Sequence, residues 1–318
     1  MSGQGKSKRQ PPGETPEGGP SVTKPPLEPG LYLVATPIGN AADITLRALD
    51  VLARADVLAC EDTRRTRQLM MIHGIGVGDR PIISYHDRNG AARRPRIVSW
   101  LQQGMSVAYA SDAGTPLVSD PGFRLVEAAH EGGHGVHAVP GPSAVLAALT
   151  VAGLPSDRFL FLGFLAPRQA ARRRALEEIA DLRATLIAFE APHRAGATLS
   201  DMADILGPDR QGAIVRELTK KFEEVRRGRL GELVAELQET GPVRGEVVLL
   251  AGPPSAEGAA TAEDLDAALA EAMEMQSLKE AVSTVARRLG LPRREVYARA
   301  LEISGRRGSG QGILGKES

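Results

Sequence analysis

The sequence predicts an α/β protein of two consecutive halves with a small helical extension at its carboxyl end. Three observations carry this reading. From Leu31 onward, short apolar runs alternate with amphipathic stretches, which is the rhythm of parallel βαβ units. A second series of the same kind begins near Arg158, after the break Gly153-Leu154-Pro155. Beyond Pro254 the composition shifts: residues 255–278 hold six acids and no base, and residues 279–307 hold eight bases against three acids. A chain of 318 residues is long enough for about two domains with cores of their own.

Residues 1–29 contain seven Pro and five Gly with almost no large apolar side chain, so a disordered tail is expected there. The first half is expected over 30–153. Leu31–Thr36 reads as a strand, and Asp43 is placed to cap a helix with apolar positions Ile44, Ala48, Leu49 and Leu52. Asp56–Cys60, Pro81–Tyr85, Ser106–Ala110 and Val136–Val139 read as four more strands. An Arg-rich helix, a helix carrying Trp100 and one over Phe123–Ala129 separate them, which predicts a doubly wound parallel sheet. The second half, 154–254, has apolar runs at Phe159–Phe164, Thr185–Phe189, Ala213–Arg216 and Glu246–Ala251, with Glu223–Arg229 alternating like an antiparallel strand. A helical extension follows over 262–304. Within it Leu278–Leu289, a Gly-Leu-Pro turn and Arg293–Leu301 have the rhythm of a helix-turn-helix, packed through Ala281, Val285, Leu289, Val296 and Ala300. A flexible tail is expected over 305–318.

Composition excludes several function classes. The formal net charge is zero, so no global field draws the chain to nucleic acid or lipid. Only seven of the 39 basic residues are Lys; the Arg excess suits phosphate recognition, but a GC-rich coding sequence, which accounts for the Ala and Gly excess too, is the favoured explanation. The single cysteine, Cys60, leaves no disulfide framework and no cysteine metal cluster, so no metal is expected and a reducing, cytoplasmic setting is. No apolar stretch approaches the roughly 18 residues of a membrane span.

Several motif-like stretches fail on inspection. Gly310–Lys316 resembles a phosphate-binding loop, but Glu317 stands where a Mg²⁺-binding Ser or Thr belongs. Gly74-Ile75-Gly76-Val77-Gly78 lacks the third glycine spacing of a dinucleotide site. His134 and His137 sit too close on one apparent strand edge to suggest zinc, and there is no Gly-x-Ser-x-Gly elbow.

What remains is a set of polar or glycine-rich loops, each directly after an apolar run. The most informative is Ser111-Asp112-Ala113-Gly114-Thr115-Pro116-Leu117-Val118-Ser119-Asp120-Pro121-Gly122, where small residues let a ligand approach the main chain. The others are Thr36–Asn40, Glu61–Arg64, Tyr85–Asn89 and Pro140–Ser143, with Glu190–Arg194 and Arg216–Lys220 from the second half. In parallel sheets such loops gather along the carboxyl edge, where ligands bind. Seven of them imply a cleft mixing carboxylates with Arg and His.

Val34-Ala35-Thr36-Pro37-Ile38-Gly39-Asn40, Cys60-Glu61-Asp62-Thr63-Arg64, Ser111–Gly122, Pro140-Gly141-Pro142-Ser143 and Gly153–Phe159 occur in this order. Together they resemble the ribosomal RNA small subunit methyltransferase I family of the tetrapyrrole-methylase superfamily. The resemblance runs from about Leu31 to Gly252, and the terminal helical pair is similar to that family's extension. It implies a two-domain tetrapyrrole-methylase-like fold, S-adenosylmethionine bound in folded form between the domains, and a homodimer. It also implies 2′-O-methylation of a decoding-region cytidine in 16S rRNA, presented as rRNA or as the small ribosomal subunit.

Carried over motif by motif, the donor pocket comprises Pro37, Ala113, Gly114, Thr115, Val118, Ser143, Ala144, Glu190 and Leu218. The small-molecule methylases read Gly-Gly-Asp-Pro where this chain has Ala113-Gly114-Thr115-Pro116, so a side-chain role for that Asp has no direct counterpart; Asp112 and Asp120 are the nearby acids. After Asn89 the family commonly has Glu, where this chain has Gly90. A ribose hydroxyl is a weak nucleophile and needs a proton acceptor; the candidates are Glu61, His86 and Glu190. Arg64, Arg194, Arg216 and Lys220 are candidates for RNA phosphates, since such contacts position rather than specify. Two other readings compete. A tetrapyrrole methyltransferase would share the fold, and a DNA-binding regulator would read through Leu278–Leu301.

Overall fold

The computed structural model describes residues 25–118, 122–254, 262–289, 291 and 293–309. These fall into two compact units, the first within Met1–Thr36 and Ile44–Gly141, the second within Pro37–Asp43 and Pro142–Ser318.

The first unit is a five-stranded sheet built from β1 (Gly30–Val34), β2 (Val57–Cys60), β3 (Ile82–Ser84), β4 (Ser106–Ala110) and β5 (Val136–Val139) in the order β3-β2-β4-β1-β5. Every pairing is parallel. Its helices are α1 (Leu46–Arg54), α2 (Thr63–Ile72), α3 (Gly90–Gln102) and α4 (Phe123–Glu131). Alternate residues of β2 feed two cores. Leu58 and Cys60 pack with Leu52 of α1 and Met70 of α2. Val57 and Ala59 pack with Ile97 and Leu101 of α3 and Leu125 of α4. The sheet is therefore covered on both faces, as parallel sheets require.

One cap differs from the sequence expectation. Asp43 closes a single 3-10 turn, Ala41–Asp43, and Thr45 caps α1, its hydroxyl accepting the Ala48 N–H. Thr45 has the extended backbone of an N-cap (φ −82°, ψ 151°), and its side chain reaches the third N–H of the helix.

The second unit opens with α5 (Ala144–Ala152) and continues through β6 (Phe159–Phe164), α6 (Gln169–Glu177), β7 (Thr185–Glu190), α7 (Ala195–Leu206), β8 (Gln211–Arg216), β9 (Glu224–Arg229), α8 (Leu230–Thr240) and β10 (Val247–Ala251). The strand order is β6-β7-β10-β8-β9. β6 and β7 are parallel, β10 runs antiparallel to both its neighbours, and β9 returns antiparallel on β8. Val247, Leu249 and Ala251 face a core shared with α6, α7 and α8, whereas Val248 and Leu250 face α5 together with Ile38 and Leu218. Ile38 explains why Pro37–Asp43 groups with this unit.

The boundary between the units lies at Gly141–Pro142, twelve residues or so before the Gly153–Leu154 break read from the sequence. Gly153 is instead the left-handed C-cap of α5 (φ 59°), and its carbonyl accepts a hydrogen bond from Arg227 at 3.0 Å.

In the extension, α9 (Ala262–Met275) precedes the expected pair, α10 (Leu278–Leu289) and α11 (Arg293–Ser309). Leu269, Val282, Val285, Val296 and Ala300 form its core. α11 continues through Ser309, into the stretch expected to be a tail. Of the amino-terminal tail, residues 1–24 lie outside the described residues. Leu27 packs on the first core, and Tyr32 donates to the Glu28 carbonyl at 2.9 Å. Gly310–Lys316 also lies outside the described residues. Among the described residues no helix is long and apolar enough to cross a membrane.

Candidate functional site

In the first sheet the strands end in register: Val34 pairs with Ala110 and Val139, and Cys60 pairs with Ala110 and Ser84. The loops after β1, β2, β3, β4 and β5 therefore leave one edge, as expected. The remaining two loops belong to the other sheet, so the expected single row of seven divides five and two.

The loop after β4 is pinned to the end of β1. Thr36 and Gly114 exchange both main-chain hydrogen bonds, at 3.0 and 2.9 Å. The Thr36 hydroxyl donates to the Ser111 carbonyl at 3.0 Å, and the Ser111 hydroxyl donates to the Gly114 carbonyl at 2.7 Å. This lock leaves Ala113 and Val118 exposed and Thr115 half-buried. Leu117 sits at φ 73°, a conformation costly for a branched side chain. Asp120 lies outside the described residues.

The acids of this edge serve the main chain. Glu61 accepts the Asp112 N–H at 2.9 Å, and Asp112 accepts the Asp62 N–H at 2.8 Å, so the ends of β2 and β4 are cross-linked twice. Asp62 caps α2 through the Arg64 N–H at 2.8 Å and pairs with the Arg64 guanidinium at 2.7 Å. Those hydrogen bonds from Arg64 hold the Asp62 carboxyl well below the usual carboxylate range.

His86 is half-buried, and Asn89 fixes it. Asn89 Oδ1 accepts the His86 N–H at 2.9 Å, while its Nδ2 donates to Ser84 Oγ at 3.0 Å and lies 3.1 Å from His86 Nε2. Gly90, where the family pattern has Glu, is buried, and a Cβ there would meet the Tyr85 ring at an ordinary 3.4 Å.

In the second unit, Glu190 and Arg216 end β7 and β8 and both pair with Val247, so their loops also share an edge. The Glu190 side chain is fully buried and fully engaged. It accepts the Ala191 N–H and the Thr198 hydroxyl, each at 2.7 Å, and pairs with Arg194 at 2.5 Å. Arg216 donates to the Arg244 carbonyl and pairs with Glu224, both at 3.0 Å. Lys220 bridges Glu217 and Glu246 at 3.0 Å each. Burial works against that ammonium, yet the two carboxylates hold its pKa above the ordinary lysine value. Three of the four cations expected at RNA phosphates are thus bound half-buried to intrachain partners. The fourth, Arg64, pairs with Asp62 but stays largely exposed.

Leu218 is buried between two residues in the left-handed region, Glu217 (φ 50°) and Thr219 (φ 62°). The Glu217 carboxylate accepts the Glu246 N–H at 2.9 Å; that bond, then Lys220, keeps its pKa below the ordinary value. Thr219 Oγ1 accepts the Asn40 N–H at 3.0 Å. The Pro37–Asn40 loop lies so close that a Cβ on Gly39 would come within 2.6 Å of Thr219 Oγ1 and Lys220 Cγ. The sequence marked both loops but not their mutual contact; the glycine of Pro-Ile-Gly-Asn was the available signal. Ser143, at the N-cap of α5, has the backbone of a cap (φ −144°, ψ 122°), but its hydroxyl makes no capping bond. Ala144 beside it is half-buried.

Among the described residues no group of three His, Cys, Asp or Glu is placed to hold a metal ion. His137 stacks on Tyr32 with centroids 4.6 Å apart.

The profile of the tetrapyrrole (corrin/porphyrin) methylases matches residues 30–234, and that of the RsmI C-terminal HTH domain matches residues 259–304. A ribosomal RNA small subunit methyltransferase I of Mesorhizobium japonicum is 48% identical over 90% of this chain and 96% of its own length. Relatives with the same name from Pseudomonas aeruginosa and Escherichia coli O157:H7 are 44% and 41% identical, over 87% and 86% of this chain and 98% and 96% of theirs. Among solved structures, the methyltransferase CobJ (TM-score 0.54, 18% identity) and cobalt precorrin-4 methyltransferase (TM-score 0.53, 17% identity) each cover 70% of this chain and 94% of their own. These two share the fold.

Proposed function

The chain belongs to the ribosomal RNA small subunit methyltransferase I family of tetrapyrrole-type methylases, and from that premise we propose that it methylates the ribose 2′-oxygen of a decoding-region cytidine in 16S rRNA, with S-adenosylmethionine as donor. The active form is proposed to be a cytoplasmic homodimer.

The observation that carries the reading is the placement of backbone strain. Among the described residues, the non-glycine residues in the left-handed region are Leu117, Glu217 and Thr219, and all three lie on the two loops that carry Ala113–Thr115 and Leu218. Each such conformation costs of order 1–3 kcal/mol and persists where surrounding structure enforces it, as at ligand sites. The donor contacts are assigned by the family resemblance to Ala113, Gly114, Thr115 and Val118 of the first unit and to Ser143, Ala144 and Leu218 of the second; Ala113 is exposed, and the Ser143 hydroxyl makes no capping bond. Pro37 and Glu190 complete the proposed set, with Glu190 acting through the loop it braces.

S-adenosylmethionine supplies an already activated methyl group, so the chain's task is orientation and removal of one proton from the ribose hydroxyl. Glu61 accepts the Asp112 N–H, and Glu190 accepts the Ala191 N–H and the Thr198 hydroxyl. The proton-accepting role is proposed for His86, half-buried and held by Asn89, with Glu61 and Glu190 as the other candidates. Arg64, Arg194, Arg216 and Lys220 are proposed to face phosphates near the target, the last three as already ordered cations.

The test is to incubate the protein and labelled S-adenosylmethionine with small subunits lacking the modification, and to map the labelled nucleotide. Label on one cytidine ribose supports the reading; label on a porphyrinoid substrate and none on rRNA overturns it.

A further inference from the structure

α2 and α3 together carry six arginines and no carboxylate, in a chain whose formal charge is zero. They are the connections into and out of β3, an outer strand of the first sheet. Their core residues pack on opposite faces of β2, Met70 with Leu58 and Ile97 with Ala59, so the arginines flank the β3 edge from both sides. They also sit toward the amino ends of the two helices, at positions 64, 65, 67, 93, 94 and 96, beside the loops that carry Glu61 and His86.

Stability does not ask for this arrangement. The amino end of a helix is the positive end of its dipole and favours acids; in α2 the N-cap Asp62 pairs with Arg64 and Asp112 lies 3.7 Å from Arg65, whereas α3 has no acid in its first turn. Arg67, Arg88 and Arg93 are exposed and form no ion pair among the described residues; exposed Arg96 lies over Trp100 at 4.9 Å. Exposed arginines that no carboxylate of the described residues compensates, as at Arg67, Arg88, Arg93 and Arg96, mark a surface shaped by a partner. Exposed arginines without ion pairs suit a polyanion, and guanidinium beside an aromatic ring suits a sugar–phosphate backbone with stacked bases.

We propose that the α2–β3–α3 edge grips the RNA backbone of the substrate, a role that rests on the rRNA reading above. Arg67, Arg88, Arg93 and Arg96 supply phosphate contacts in addition to those proposed for Arg64, Arg194, Arg216 and Lys220.

The full-length triple variant Arg67→Gln/Arg93→Gln/Arg96→Gln is compared with Arg67→Lys/Arg93→Lys/Arg96→Lys, measuring equilibrium binding to small subunits over a series of salt concentrations. The Gln variant is expected to bind about tenfold or more weakly at low salt, with the slope of log K against log salt reduced by about two, as losing two to three phosphate contacts requires. The Lys variant is expected to restore the slope, and both should bind S-adenosylmethionine like the parent. An unchanged affinity and slope overturns the proposal. So does weaker binding with an unchanged slope, which would place a protein on this face, or a change in the protein's own oligomeric mass, which would place a second copy there. Binding is scored without methyl transfer, so failure of the rRNA methylation reading shows separately, as parent enzyme that transfers no label.

Discussion

Glu217 looks, from its sequence neighbourhood, like one more acid in a charged loop; its surroundings make it a brace. Its main chain is held left-handed, its carboxylate accepts the Glu246 N–H and Lys220, and the next residue is the buried Leu218. Glu217→Gln keeps the shape but weakens both bonds, so S-adenosylmethionine affinity measured by calorimetry should fall several-fold while the far-ultraviolet dichroism stays unchanged. Gly39→Ala acts on the same contact from the other side. A Cβ 2.6 Å from Thr219 Oγ1 and 2.8 Å from the Leu218 carbonyl must push the loop away, since main chain cannot rotate aside. Overpacking of this kind costs about 1–3 kcal/mol, and donor binding should weaken more than Glu217→Gln weakens it. Neither role was legible in the sequence. The motifs flagged both loops through their small and polar residues, but a hydrogen bond across 179 positions, Asn40 to Thr219, has no local signature. Cys60 is the opposite case. An apolar strand residue was expected and is found; burial, the main cause, pushes its thiol up to about 11. It should resist thiol reagents in the folded protein at neutral pH and react on unfolding, which a timed labelling assay would show.

At the scale of elements, the parallel sheet of the first unit was readable because its inner strands β1, β2 and β4 are buried on both faces and so are continuously apolar. β4, Ser-Val-Ala-Tyr-Ala, is buried at every position. The second sheet was readable in its strands but not in their directions. β10 pairs with β7 and β8, 57 and 31 residues earlier in register, and nothing in Val-Val-Leu-Leu-Ala states that it runs antiparallel to both. Helix ends were readable only to within a turn. Asp43 and Thr45 are both good caps by composition, and backbone geometry selected Thr45. Thr45→Ala should therefore cost about 1 kcal/mol in denaturant unfolding, whereas Asp43→Ala should fall within about 0.5 kcal/mol of the parent; equal losses would contradict the assignment. A stronger determinant joins α6 to α7. Asp201, 2% exposed in its side chain, accepts Gln169, Arg172 and Arg173 at 2.6 to 3.0 Å. Removing one partner of a buried ion pair costs about 3–5 kcal/mol, because the other charge is left without compensation. Asp201→Ala should approach the limit of what the second unit tolerates, visible as an early, separate unfolding transition.

For the whole molecule, these carboxylates set the response to acid. Burial by itself raises the pKa of Asp201, but its three donors outweigh that and leave it lowered; Glu217 and Glu224 are lowered by main-chain and arginine hydrogen bonds. A carboxyl whose folded pKa lies below its unfolded value contributes stability that is complete above the unfolded value and is lost as pH falls through the folded one. Unfolded carboxylates titrate near 4, so the midpoint of thermal unfolding should be nearly level from neutrality to about pH 5 and then decline steadily. These three lie in the second unit, whereas the first has the exposed, Arg64-paired Asp62, so the second transition should lose more on acidification than the first sheet, held chiefly by Leu31, Leu58 and Tyr109. Scanning calorimetry between neutrality and pH 3 would separate the two transitions. In Asp201→Asn the second unit should start less stable and lose less on acidification, because the proton it would have bound has no site. A parallel shift of both transitions, or an unaltered acid slope in that variant, would place the acid-sensitive groups elsewhere.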